Sequence, residues 1–315
     1  MVPLGGGGAS VKAMTSSWPN LSDLMVGAEA PEAFGAPIGL VGAPLGAGSV
    51  SPGGCARAPA LLRATLQRIG RYDIDTGREL TSRIADHGNV ALDGLTIEAA
   101  TGPIREAVAA SVAAHALTLL IGGNNAVTRP GVHGLGVPLD TIGLITLDAH
   151  FDMRETAGGL SNGNPVRALI EDGLPGRNIA QIGLAPFANS AAMHRDAVAA
   201  GNRILTLAEV ERDGISAAVD QALRHVAHCQ LLVVDCDIDV IDRSQLPGAP
   251  GARPGGMRVA DFFAATRTLA REPRLRLIDL TEWDPSLDPG DLSALTAARW
   301  VAEVLAGFEA RGNSL

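Results

Sequence analysis

The sequence predicts an α/β fold built on a parallel sheet, and three observations carry that expectation. Apolar runs of strand length recur along the chain with helical patterns between them. The runs are near-continuous in Leu, Ile and Val instead of alternating, as in strands covered on both faces. Their carboxyl ends carry acids, amides and imidazole, and ligand sites in such sheets lie beyond those ends.

In chain order the predicted strands are PIGLVG (37–42), ALTLLIGG (116–123), TIGLITLDAH (141–150), NIAQIGLA (178–185), RILTL (203–207), QLLVVDCDID (230–239) and LRLIDLTE (275–282). Helical patterns fall over 58–69, 97–114, 190–200, 214–228, 259–271 and 291–311. No internal repeat or linker interrupts them, which predicts one domain over 36–315. The opening MVPLGGGGASVKAMTSSWPN is Gly- and Ser-rich and lacks the apolar core of a secretory signal. A mobile tail over 1–35 is expected, with Met14 as a second candidate start.

The 315 residues are 46% hydrophobic and 19% charged, the composition of a globular protein. A net charge of −9 without a basic cluster argues against nucleic acid and anionic membrane as partners. No apolar run reaches the roughly 18 residues of a membrane span. Three cysteines, with no Cys-x-x-Cys spacing, suit a reduced cytoplasmic setting.

The chemistry collects at strand ends. LITL runs straight into Asp148, His150 and Asp152, and QLLVV into Asp235, Asp237 and Asp239. Residues two apart on a strand share a face, so each set can converge. Polar turns would explain one such Asp but explain poorly two D-x-[DH]-x-D patterns on separate strands. Clustered carboxylates need a cation to offset repulsion and desolvation. Asp148, His150, Asp152, Asp237 and Asp239 form a hard, oxygen-rich donor set that suits Mn²⁺, with Fe²⁺, Co²⁺ and Ni²⁺ as alternatives. Cys236 should face away from its acidic neighbours and act as a small buried hydrophobe.

These motifs resemble those of the ureohydrolases: arginase, agmatinase and formimidoylglutamase. GGNNA (122–126), DAHFD (148–152), SNGNPVR (161–167), DIDVID (237–242) and EWDP (282–285) follow the family order over about residues 36–311. The details look most like the formimidoylglutamase branch. Arg154 follows DAHFD where arginases carry Asn, and Asn162 stands where arginases and agmatinases carry His. FANSAA (187–192) and DRSQLPGAPGARPGG (242–256) also resemble that branch.

The resemblance implies a three-layer α/β/α sandwich around a mostly parallel eight-stranded sheet, with two Mn²⁺ per subunit. Asp148 and Asp237 would bridge the ions, His150 and Asp239 complete one, and Asp152 and Asn125 the other. Asp152 and Glu282 would be catalytic, and Glu282 would clamp the substrate amidinium. Arg154, Asn162, Asn164 and Arg167 would contact the small-molecule amidine. The implied reaction is hydrolysis of N-formimino-L-glutamate to L-glutamate and formamide, a step of histidine breakdown, in a homotrimer or homohexamer.

Asn125 is the main departure, because the family has His there. An amide oxygen is a neutral and weaker donor, so one ion per subunit is the alternative to two. Asp235 also departs and shares the register of Asp237, as a group behind the ligands would. Competing readings are a hydrolase of another amidine or guanidine, which would not need Arg154, a non-catalytic ureohydrolase relative, and a metal-stabilised binding protein.

Overall fold

The computed structural model describes residues 18–311. The expected alternate start at Met14, and the first part of the expected tail, lie outside the described residues.

The strands in chain order are β1 (Met25–Gly27), β2 (Ile38–Ala43), β3 (Tyr72–Asp73), β4 (Arg78–Glu79), β5 (Ile84–Asn89), β6 (Leu117–Gly122), β7 (Ile142–Leu147), β8 (Ile179–Leu184), β9 (Arg203–Thr206), β10 (Leu231–Asp237) and β11 (Leu275–Thr281). The helices are α1 (Ala58–Thr65), α2 (Ile97–Ala114), α3 (Thr128–His133), α4 (Pro165–Glu171), α5 (Ala191–Ala200), α6 (Leu207–Asp213), α7 (Ile215–His225), α8 (Val259–Ala270) and α9 (Leu292–Glu309). Nine strands form one sheet in the order β1-β5-β2-β6-β11-β10-β7-β8-β9, while β3 and β4 make a separate hairpin. Every pairing in the large sheet is parallel.

Helices cover both faces, so the sandwich expected from the sequence is the observed architecture. Alternate residues of each strand serve opposite layers. On β7, Ile145 and Leu147 join one core with α1, α7, α8 and α9, and Ile142 and Leu144 join the other with α2, α3 and α4. Cys236 lies in the first core, fully buried, as its alternation with Asp235 and Asp237 predicted.

The sheet has nine strands instead of eight and is wholly parallel instead of mostly so. β1 and β5 were missed because IADHGN is polar at alternate positions and β1 has three residues. The expected tail is corrected from residue 18 onward. Leu21 and Leu24 are buried in the core, and Met25–Gly27 pairs with β5. The short helices α3, α4 and α6 were also missed, being too short to display a 3.6-residue period.

Strand order positions the site. β6, β11, β10 and β7 are consecutive neighbours at the sheet centre, and they carry GGNNA, EWDP, DIDVID and DAHFD at their carboxyl ends. No helix among the described residues is long and apolar enough to cross a membrane.

Candidate metal centre and active-site cleft

The two acidic motifs converge through turns more than through strand alternation. β7 ends at Leu147, so Asp148, His150 and Asp152 all lie beyond it. Asp148 Oδ1 accepts the backbone N–H of His150 at 2.7 Å, and Asp237 Oδ1 accepts that of Asp239 at 2.9 Å. Each motif thus closes an Asx turn, in which an Asp side chain binds the backbone two residues on. Asn189 braces the first turn, accepting from Phe151 N–H at 2.8 Å and donating to Ala149 O at 2.9 Å.

The result is two groups that share one member. Asp148, His150 and Asp239 have ligand atoms within 4.8 Å of one another, as do Asp148, Asp152 and Asp237. His150 Nδ1 lies 3.1 Å from Asp239 Oδ2 and 3.4 Å from Asp148 Oδ1. Asp148 Oδ2 and Asp239 Oδ1 are buried with no hydrogen-bond partner among the described residues. Unpaired buried carboxylate oxygens are costly, and a hard divalent cation satisfies them. The donor set fits such an ion.

The electrostatics express the same strain. Burial lifts the Asp148 carboxyl to about 6. Burial, then the Asp148 charge, holds Asp152 well above the usual carboxylate range, and burial, then Asp239, does so for Asp237. Burial opposes ionisation of Asp239, but the His150 charge overcomes it and depresses that carboxyl. The Asp239 charge in turn raises the His150 imidazole to about 12.

Asn125 sits beside this cluster in an orientation the sequence did not foresee. Its Nδ2 donates to Asp152 Oδ2 at 2.6 Å and lies 3.5 Å from Asp235 Oδ2. Its Oδ1 accepts from Thr128 Oγ1 at 2.9 Å and Thr281 Oγ1 at 3.0 Å. Ionised carboxylates only accept, whereas hydroxyls can turn, so the amide nitrogen faces the acids and its oxygen faces the hydroxyls. Expected as a ligand, Asn125 here contacts Asp152 as a hydrogen-bond donor, and its one cation-binding atom lies against two hydroxyls.

Behind it lie Asp235 and Asp279, both with no exposed surface. Burial raises both carboxyls, each with help or modulation from the other, and Asp279 reaches about 7. Asp279 accepts from Cys236 N–H at 3.2 Å, and its other oxygen lies 3.1 Å from Thr128 Oγ1. The sequence reading anticipated Asp235 and missed Asp279, Thr128 and Thr281. An Asp in the middle of the apolar run LRLIDLTE was the available signal.

Glu282 follows β11 and is 5% exposed. Its Oε1 accepts from Asn125 N–H at 2.7 Å and Asn162 Nδ2 at 2.8 Å, leaving Oε2 without a hydrogen bond to the described residues. Burial lifts its carboxyl to about 7. Asp152 and Glu282 have φ of 51° and 63°, a left-handed conformation that costs a non-glycine residue about 1–3 kcal/mol and concentrates at functional sites.

A cleft of about 110 Å³ joins these groups, lined by His150, Asp152, Asp237, Asp239 and Glu282 with Arg154, Asn162 and Arg253. Two expected substrate contacts are corrected. Asn164 is turned into its own loop, accepting from Ser161 N–H and donating to Glu155 O and Gly159 O. Arg167 pairs with Glu171 at 2.7 Å and Asp196 at 2.8 Å, away from the cleft. Arg253 was not singled out in the sequence, since nothing in GAPGARPGG separates a cleft arginine from a surface one.

A parallel sheet with helices on both faces and two carboxylate groups at its central strand ends, one of them including an imidazole, fits the architecture of a metal-assisted hydrolase. The sequence profile of the arginase family matches residues 36–307, and the chain belongs to that family. A formimidoylglutamase of Halobacterium salinarum is 33% identical over 86% of this chain and 87% of that protein. One of Halalkalibacterium halodurans is 29% identical over 86% of each. The crystal structure of formimidoylglutamase from Bacillus subtilis is similar at a TM-score of 0.89 and 26% identity, covering 98% of this chain and 97% of that one. Trypanosoma cruzi formiminoglutamase with Mn²⁺ has a similar fold, with a TM-score of 0.84, 23% identity, and coverage of 93% and 99%.

Proposed function

We propose that the protein hydrolyses N-formimino-L-glutamate to L-glutamate and formamide, as a step of histidine breakdown. The observation that carries this reading is one cleft bearing two metal-fitting groups, an amidinium-sized carboxylate and a cleft arginine. Asp148, His150 and Asp239 would hold one Mn²⁺, and Asp148, Asp152 and Asp237 a second. Bound there, a divalent cation acidifies water so that hydroxide is available near neutral pH.

The chain's own residues then account for binding and proton movement. Glu282 presents Oε2 to the planar N–C–N group of the substrate, a charge-assisted contact that fixes the reacting carbon. Asn125 and Asn162 hold the other oxygen and so set the carboxylate plane. Asp152 has Oδ2 fixed by Asn125 and Oδ1 free of hydrogen bonds to the described residues, so Oδ1 can accept the nucleophile's proton and return it to the leaving amine. Arg154 forms no ion pair among the described residues and would bind a substrate carboxylate. The Cβ of a larger residue at Gly163 would lie 2.7 Å from Arg154 Cδ, so the glycine leaves that side chain its path. The relatives support this substrate, and the reading is completed by a homo-oligomer, with a cytoplasmic setting that the cysteine usage suits.

The test is glutamate release from N-formimino-L-glutamate by Mn²⁺-loaded protein, with metal-stripped protein as blank. Metal-dependent turnover is expected, with Arg154→Ala raising KM strongly at unchanged metal content. No turnover at saturating substrate and metal would overturn the reading.

A further inference from the structure

The cleft contains a second arginine that the proposed chemistry leaves unused. Arg253 lies on the loop that follows DIDVID, and both it and Arg154 are exposed side chains of the cleft lining. Asp152, Asp237, Asp239 and Glu282 line the same cleft, yet neither arginine makes a salt bridge to any acid among the described residues. The acids are committed to the cation site and the amidinium position. The arginines are left as the two cationic groups whose partners must come from a ligand.

Arg253 is also prepared for that role. Its Nη1 donates to Pro250 O at 3.1 Å and Gly251 O at 2.9 Å, while Nε and Nη2 have no hydrogen-bond partner among the described residues. A guanidinium pinned by one nitrogen presents the remaining two as a fork matched to a carboxylate. The loop carrying it is set against the metal centre: a Cβ at Gly251 would lie 1.8 Å from Asp239 Oδ2 and 3.1 Å from His150 Cε1. Arg243 Nη1 holds the same loop from another direction, through Ala249 O at 3.0 Å and Ala252 O at 3.4 Å. The loop therefore keeps an anchor when the Arg253 side chain is removed.

We infer that Arg253 is a second carboxylate-binding residue, receiving one carboxylate of the substrate while Arg154 receives the other. This rests on the proposed hydrolysis of N-formimino-L-glutamate and assigns a protein partner to its second carboxylate. Monocarboxylic and carboxylate-free amidines leave one or both guanidiniums unmatched, with the loss expected for an unmet charge-assisted hydrogen bond.

The experiment compares wild type, Arg253→Ala and Arg253→Lys on N-formimino-L-glutamate and on its two monoamides, in which the α- or the γ-carboxylate is replaced by carboxamide. Arg253→Ala should raise KM for the diacid roughly 10- to 100-fold with little change in kcat and none in metal content. It should also abolish the wild-type discrimination against only one of the two monoamides. Arg253→Lys, with charge but no fork, should fall between. An equal loss on all three substrates, or no loss, would overturn the assignment. If wild type turns over none of them, the hydrolase reading fails separately. Calorimetry with L-glutamate, L-glutamine and L-isoglutamine on the Mn²⁺-loaded protein then decides. Preference for glutamate that Arg253→Ala erases upholds the site, and no preference overturns it.

Discussion

Asn125 Nδ2 donates to Asp152 Oδ2 at 2.6 Å, while Asn125 N–H donates to Glu282 Oε1 at 2.7 Å. One residue thereby orients the two carboxylates assigned to catalysis. It does so with a neutral amide whose carbonyl oxygen is held by Thr128 and Thr281.

Asn125→His should therefore tighten cation binding at the Asp148–Asp152–Asp237 group, because imidazole is a better donor than an amide tied to two hydroxyls. A tenfold or larger gain in Mn²⁺ affinity is expected by calorimetry, with higher metal content after dialysis. Unchanged affinity would show that the amide does not limit that group.

Gly251→Ala tests the close approach of backbone to the other group. Its Cβ would displace Asp239 Oδ2, 1.8 Å away. Metal bound per chain should fall and turnover should drop at least 100-fold, while the far-ultraviolet circular dichroism of the sheet and helices persists. Normal metal content in this variant would mean that the loop yields freely.

Metal removal should impose a pH dependence on stability. Burial raises Asp148 to about 6, and Asp279 and Glu282 to about 7, above the unfolded values near 4. The folded protein then binds more protons than the unfolded chain between those limits, so its stability falls as pH rises. The penalty is absent below about pH 4 and complete above about pH 7. In chelator, Tm should decline from pH 5 to pH 8. Mn²⁺ should stabilise the protein at pH 8 by roughly 2.7 kcal/mol at a hundredfold excess over Kd, and the same Mn²⁺ concentration should stabilise it less at pH 5, where protons compete for the carboxylates and imidazole. A flat Tm in chelator would contradict the burial argument.

Far from the cleft, Glu303 of α9 is 3% exposed and joins Arg267 of α8 and Arg299, while Arg267 also reaches Asp73 at 3.0 Å. Glu303→Ala leaves the largely buried Arg267 with only Asp73. A loss of about 3 kcal/mol is expected in urea unfolding, with the metal content and KM of wild type. A loss below about 0.5 kcal/mol would place the pair among surface bridges of little consequence.

How much of the site was legible follows from how local each signal is. DAHFD and DIDVID disclosed the acids and imidazole that converge at the cleft because an Asx turn is built within three residues, and its spacing survives in the sequence. Glu282 and Arg154 were legible from their adjoining motifs. Asn164 and Arg167 misled for the opposite reason. They sit in the right motif, but SNGNPVR folds back on itself, and the hydrogen bonds of the loop and of α4 claim both side chains.

Left to itself, the sequence determined the α/β class, most of the strands and which acids gather at the strand ends. Continuous apolar runs and short polar turns are properties of neighbouring residues. Tertiary structure decided what depends on strand order and on backbone meeting backbone across long separations. β11 enters between β6 and β10, bringing Glu282 and Thr281 to Asn125 across more than 150 residues. The same packing seats Gly251 against Asp239 and Arg253 on the cleft. It also directs the Asn125 amide, whose two ends are indistinguishable until the partners on either side are in place.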